Sequence, residues 1–274
     1  MQDRLRSDSG RLHHAGLTTL IFSLLGGLIL LFVVAPLLGM VLHCPAEDLA
    51  KAAADPAVTE SIWLTLWTSM AATMIFAVSA VPLSYLLARK QFPLKGIVTG
   101  IIDLPVVIPH SAAGIALLGL ISRGSLLGDL SDNLGFHFIG GPAGIMLAMA
   151  YVSLPFLINA ARDGFSAVPE RLEKAALNLG ASPARVFFTI SMPLAWRSIL
   201  SGMILMFARG MSEFGAVVIV TYHPMITPVL IYERFGAFGL RYARPVSVIF
   251  VAVSLAVFVF LRFLGRKSVN AQSQ

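Results

Sequence analysis

Arg209 and Glu213 stand four residues apart in a run, Ser198 to Tyr222, that carries no other charge. On a helix this spacing brings a guanidinium and a carboxylate into contact. Two chemistries follow. The pair can neutralise itself and face the interior of a helix bundle, which is how an apolar environment tolerates charge. Alternatively, Arg209 lends positive potential to a pathway for anions while Glu213 holds its orientation. The two readings are compatible.

A second polar group lies in another apolar run, where Asp103 is followed by Pro105, Pro109, His110 and Ser111. Two prolines four apart remove backbone donors and predict a kink, freeing carbonyls that only a polar cavity or neighbouring helices can satisfy. Such a segment lines or gates a pore. His110 reads either as a buried neutral histidine bonded to backbone or as a binding residue. It is not read as a metal ligand, because no second donor lies at ligand spacing and the His13-His14 pair is in a tail. Covalent chemistry has no support: neither G-x-S-x-G nor H-E-x-x-H occurs, as an intramembrane hydrolase would require. Nor does a G-x-x-x-x-G-K-[ST] phosphate loop, since Gly265-Arg-Lys-Ser lacks the first glycine and a following helix.

The elements that position these residues follow from composition. Of 274 residues, 57% are hydrophobic and 12% charged, under half the charged share of a soluble domain. That excludes a soluble enzyme, a disordered chain and, with Cys44 alone, a disulfide scaffold. The expected class is all-α and membrane-embedded. Six stretches reach the roughly 20 apolar residues a spanning helix needs: Gly16 to Leu42, Ser61 to Ala88, Gly96 to Ile121, Gly140 to Ala161, Ser198 to Tyr222 and Pro245 to Leu264. The first is too long for a signal-peptide core of about 7–15 residues. A six-span domain over 16–264 is thus expected between tails at 1–15 and 265–274. Pro45 to Glu60 reads as a short amphipathic helix on the outer side.

Fourteen of the twenty basic residues fall in the tails, the Arg89 to Lys95 loop and the Arg162 to Arg197 loop, counting Arg262 at the end of the last span with the C-terminal tail. The opposite loops hold five: Lys51, Arg123, Arg234, Arg241 and Arg244. By the positive-inside rule both termini are expected in the cytoplasm, at a plasma or inner membrane. The formal charge of +6 then reflects topology, and no nucleic-acid partner is expected.

The long 162–197 connection is patterned. Leu172, Ala175, Ala176 and Leu179 fall at i, i+3, i+4 and i+7, an apolar stripe on a helix. Pro169 suits its first turn and Gly180 its C-terminal cap. Ser182-Pro183 restarts a second short helix with Val186, Phe187 and Ile190 in phase, and Pro193 is expected to close it. The result is a helix-Gly-helix elbow, either packed on its own bundle or presented as a docking knob.

Lys174-Ala-Ala-Leu-Asn-Leu-Gly180, then nine residues and Ile190-Ser-Met-Pro193, resembles the E-A-A-x-x-x-G-x9-I-x-L-P loop of ABC importer permeases. Lys174 stands where that family has Glu, with Glu173 one residue earlier, and Met192 replaces Leu. The resemblance implies the type I importer fold, and that Arg171 to Ser182, with Arg171, Leu172, Lys174, Ala175, Ala176, Leu179, Gly180, Ala181 and Ser182, couples to an ATPase subunit. It also implies a homodimer of permeases on two ATPase subunits, which would carry ATP and Mg; no cofactor is expected in this chain.

Asp103 to Gly114, Ala208 to Ala216, Tyr222 to Pro228 and Ile231 to Arg234 resemble permeases for tetrahedral oxyanions, most closely the molybdate and tungstate group. An extracytoplasmic binding protein for the anion is then implied as a further partner. A path that must release its cargo is better lined by hydroxyls and backbone N–H groups than by a charged cage, so Ser111, Ser212 and Thr221 join Asp103, Pro105, Pro109, His110, Arg209 and Glu213 as candidates. Gly114, Gly210 and Gly215 are assigned to close helix packing. Two rivals remain: a sulfate or thiosulfate ABC permease, and a proton-coupled transporter using Asp103, His110, Arg209 and Glu213 as a relay, for which no inverted repeat is found.

Overall fold

The computed structural model describes residues 2–270, with side chains described for residues 18–263 apart from positions 126 and 132. The tails expected at 1–15 and 265–274 lie outside the residues whose side chains are described. Among the described residues the chain is helical with no strand, the outcome apolar surroundings impose on a backbone that must satisfy its own hydrogen bonds.

Among the described residues five helices are long and apolar enough to cross a membrane, and a bent pair makes a sixth crossing if counted as one. The five are α1 (Gln2–Leu42), α3 (Pro56–Arg89), α7 (Pro142–Ala167), the run from Pro183 to Met211, and α13 (Leu240–Asn270). Helix α7 is the axis of the bundle. Its Ala148, Met149, Ala150 and Val152 are fully buried where α3 and α10 (Met192–Met211) pack against it. The face α3 turns inward carries small hydroxyls, Thr65, Thr68, Ser69, Thr73 and Ser84. Each returns a hydrogen bond to a backbone carbonyl, two of them across helices: Ser69 to Phe207 O at 2.7 Å and Ser84 to Ile158 O at 3.1 Å. Small residues let the backbones approach closely, the usual basis of helix association in lipid. Helix α1 differs, with no buried residue in its apolar stretch Thr18–Leu42.

Three sequence expectations need correcting. The third span is not one kinked helix: α4 (Lys95–Val107) and α5 (His110–Ile121) meet at 113°. Only the second proline makes the break. Pro105 sits inside α4, whereas Pro109 holds Ile108 extended at φ −75°, ψ 148°, as proline does to its predecessor. Pro193 does not close the elbow's second helix. It occupies the first turn of α10, where its missing N–H is no loss, and a π turn (Phe187–Ser191) joins α9 (Pro183–Val186) to α10 in one 29-residue run. The fifth span therefore does not reach Tyr222. It stops at Met211, and α11 (Gly215–Val220) follows after a break at Ser212–Phe214.

The shorter elements frame one end. Helix α2 (Ala46–Ala54) ends before Asp55, whose carboxylate accepts from Ala57 N and caps α3. Helices α6 (Leu126–Asn133) and α12 (Thr227–Phe238) complete this end, while α8 (Glu170–Asn178) lies at the other.

Candidate functional site

The two broken segments meet. A Cβ added at Gly215 would lie 2.8 Å from His110 Cβ, and one at Gly114 would lie 2.9 Å from the Ala216 carbonyl and 2.8 Å from Ile219 Cβ. Only glycine permits α5 and α11 this contact, so Pro109 and the Ser212–Phe214 break arrive at one junction.

Arg209, Glu213 and His110 occupy that junction. Arg209 Nη2 lies 2.9 Å from Glu213 Oε2, and His110 Nδ1 lies 3.1 Å from the same oxygen. Glu213 Oε1 accepts from Ala216 N at 2.8 Å, holding the first turn of α11. Arg209 Nη2 is also 2.9 Å from His110 Nδ1. The ion pair foreseen from spacing is thus a cluster of three groups, and His110 takes a carboxylate and a guanidinium as neighbours rather than backbone. Exposure divides the roles: Glu213 is 1% exposed, whereas the Arg209 side chain is 24% exposed. The carboxylate orients the guanidinium, whose charge remains partly open to one side.

The other candidates scatter around this point. Ser111 and Ser212 are exposed, and Ser212 Oγ donates to Arg209 O at 3.0 Å. Thr221 is buried against Gly144 and faces helix packing instead of open space. Pro105 is buried in α4. Asp103 stands apart from the cluster and accepts from Asn159 Nδ2 on α7 at 2.6 Å, a partner that sequence spacing did not reveal.

At the other end α8 forms the first arm of the elbow. Its C-terminus is closed by Gly180 at φ +88°, with Gly180 N donating to Leu177 O and Ala181 N to Ala176 O. This paired closure needs a left-handed residue, which glycine supplies without steric cost. Ser182 Oγ then accepts from Arg185 N and starts α9. Leu172, Ala175 and Leu179 are exposed, Leu179 to 90%, and Ala176 is half-buried. The stripe faces away from the bundle. Arg171 and Lys174 are exposed as well, with Lys174 paired to Glu170 at 2.9 Å.

Glu173 is buried on the other side of α8 and was not singled out by its spacing. Its carboxylate accepts from Arg89 Nη2 at 2.7 Å, Arg89 Nε at 3.0 Å, Ser191 Oγ at 2.7 Å and Tyr85 Oη at 3.2 Å. Burial pushes its pKa up, but the hydrogen bonds from Arg89 and Ser191 outweigh that and leave it below the ordinary glutamate value. At the opposite end Arg234 donates to Asp55 Oδ2 at 2.5 Å, Arg241 Nε to Asp48 at 3.3 Å, and Arg244 to His43 O. The hydrogen bond from Arg234 is the main reason the Asp55 pKa lies below its usual value.

The family described as binding-protein-dependent transport system inner membrane component matches residues 80–271. The molybdate/tungstate transport system permease protein WtpB of Thermococcus kodakarensis is 45% identical over 254 residues, 92% of this chain and 98% of that protein. The protein of the same name from Methanocaldococcus jannaschii is 40% identical, covering 87% and 93%. The sulfate transport system permease protein CysT of Synechocystis is 30% identical, covering 89% and 87%. Among solved structures, a bacterial ABC transporter that imports the acidic polysaccharide alginate superposes with TM-score 0.70 at 16% identity, over 90% of this chain and 95% of that one. The likeness in three dimensions identifies the fold, that of type I ABC importer permeases.

Proposed function

Because the chain belongs to the family of binding-protein-dependent transport system inner membrane components, a multi-pass membrane transport subunit, we propose that it is the permease of an ATP-driven importer for molybdate or tungstate. The observation that carries the substrate class is the 45% identity to a molybdate/tungstate permease across nearly its whole length. The partly open Arg209 at the broken-helix junction supports it, since a dianion cannot enter hydrocarbon without compensating charge.

The mechanism we infer is alternating access by a homodimer. Each α8 elbow seats in one ATPase subunit on the cytoplasmic side, where both chain termini also lie. Closure of the ATPase subunits on ATP draws the elbows together and turns the helices attached to them. The junction of α5 and α11 then opens toward a loaded extracytoplasmic binding protein, and hydrolysis returns it inward. Arg209 lowers the barrier for the anion, while the exposed hydroxyls of Ser111 and Ser212 give weak contacts that let it leave. Helix α1, buried on no side within one chain, leaves apolar surface for lipid and for the second copy.

Sulfate is the second reading, favoured by the 30% identity to a sulfate permease. Uptake of labelled tungstate into vesicles holding the assembled importer, with unlabelled sulfate as competitor, separates the two. Tungstate uptake insensitive to a hundredfold excess of sulfate supports the first reading, and full competition supports the second.

A further inference from the structure

Glu173 differs from the other residues of α8 because it is buried and joined to several elements at once. Its carboxylate accepts from Arg89 and Tyr85 on α3 and from Ser191 at the root of α10. Arg89 Nη2 also donates to Val168 O at 3.0 Å, the residue that ends α7. Arg89 and Glu173 side chains are each only 9% exposed. The π turn that holds Ser191 and the ring of Phe187 completes the seat, with Tyr85 and Phe187 edge to face at 5.0 Å. By contrast the connections that flank α8, Val168-Pro169 and Gly180-Ala181, are short single-chain links. An arm held by those links alone would swing when pulled.

We propose that Glu173 is a positioning residue that makes the elbow and the adjoining ends of α3, α7 and α10 one mechanical unit, so that force on α8 turns the membrane helices. The inference rests on the reading of α8 as the ATPase-docking arm. Its physical basis is that a buried, multiply hydrogen-bonded ion pair is costly to part, and costlier when only one partner remains. The exposed face of α8, with Leu172, Ala175 and Leu179, receives the push. The buried face, through a single carboxylate, distributes it. Lys174, one residue along, pairs only with exposed Glu170 and has no part in this transmission.

The test uses the full chain assembled with its ATPase and binding protein in proteoliposomes, where tungstate uptake and ATP hydrolysis are measured together. The double variant Glu173→Leu, Arg89→Met removes the ionic joint while keeping apolar volume, so that neither charge is stranded. Tungstate imported per ATP should fall roughly tenfold, within the usual range of coupling between sites, while hydrolysis persists. An unchanged ratio would overturn the proposal.

A second measurement needs no change at the joint. Spin labels at Lys174→Cys and Leu194→Cys, with Cys44→Ser, report the distance from α8 to α10. That distance should be the same in nucleotide-free and ATP-trapped complexes. A shift beyond about 2 Å, the scale of helix movements in switching proteins, would show that the arm swings alone. If the unmutated complex shows no ATP-dependent uptake, the docking reading itself fails; coupling left intact in the double variant removes only the role of Glu173.

Discussion

Glu213 and Glu173 are buried carboxylates satisfied in different ways, and the difference sets what their removal does. Glu213 is held by Arg209, His110 and the Ala216 N–H. Arg209→Ala strands a buried charge, which costs on the order of 3 kcal/mol, and assembly of the permease should drop. The double change Arg209→Ala, Glu213→Ala should recover assembly, read by yield of monodisperse complex, yet leave uptake low. Recovery of uptake along with assembly would confine Arg209 to structure. Asp55 gives a pH prediction. Its pKa is below the ordinary value of 3.8 when folded, so the bond to Arg234 contributes fully above that value and fades only as pH falls below it. The contribution of Asp55 should therefore be constant from about pH 5 to 7, so that Asp55→Asn lowers the melting temperature of the complex by the same amount across that window. The Arg209–Glu213 contact was legible because its partners are four apart. His110 was legible as a polar residue but not as a member of the cluster, being 99 positions from Arg209. Glu173 was missed because its partners Arg89 and Tyr85 lie 84 and 88 positions away, and a one-dimensional pattern cannot show that meeting.

At the scale of elements, periodicity and punctuation located most helices, whereas the breaks depended on tertiary detail. The elbow could be read from an apolar stripe closed by glycine. Gly180 has open space around it but a left-handed backbone, so the penalty of substitution is conformational. Gly180→Val should cost about 1–3 kcal/mol of local strain and uncouple uptake from ATP hydrolysis, while Gly180→Asn, which tolerates that conformation, should retain most activity. Normal uptake by the valine variant would remove the coupling role of the elbow. Gly114 is the opposite case: its φ is ordinary and its space is filled. Gly114→Ala would drive a methyl against the Ala216 carbonyl and Ile219, and a loss of about 1–3 kcal/mol is expected for such overpacking, measured as a fall in the melting temperature of the complex. The misplaced boundaries have physical causes. Proline in a first turn and proline after an extended residue look the same in sequence, which is why Pro193, expected to close a helix, starts one, and Pro109 breaks a span it was expected only to kink. The break after Met211 has no proline at all, and only the side chain of Glu213 capping α11 explains where the backbone turns.

The whole molecule places the two sites at different levels of one bundle, with α7 as axis and α10 running from the π turn beside Glu173 to Arg209. A single helix thus carries the elbow's attachment at one end and the junction's cation at the other, the connection that ATP-driven alternating access needs. Composition alone announced a polytopic membrane protein, and the loop pattern indicated an importer subunit. The counter-charges Asp55 and Asp48, which pair with Arg234 and Arg241, were not legible as partners. The direct test of this account is ATP hydrolysis by the chain copurified with its ATPase partner in proteoliposomes, with candidate oxyanion-binding proteins added loaded or empty. Hydrolysis stimulated by a molybdate- or tungstate-loaded binding protein, together with uptake of that anion, is the predicted result. A chain that associates with no ATPase, and whose uptake follows a proton gradient instead, would contradict it.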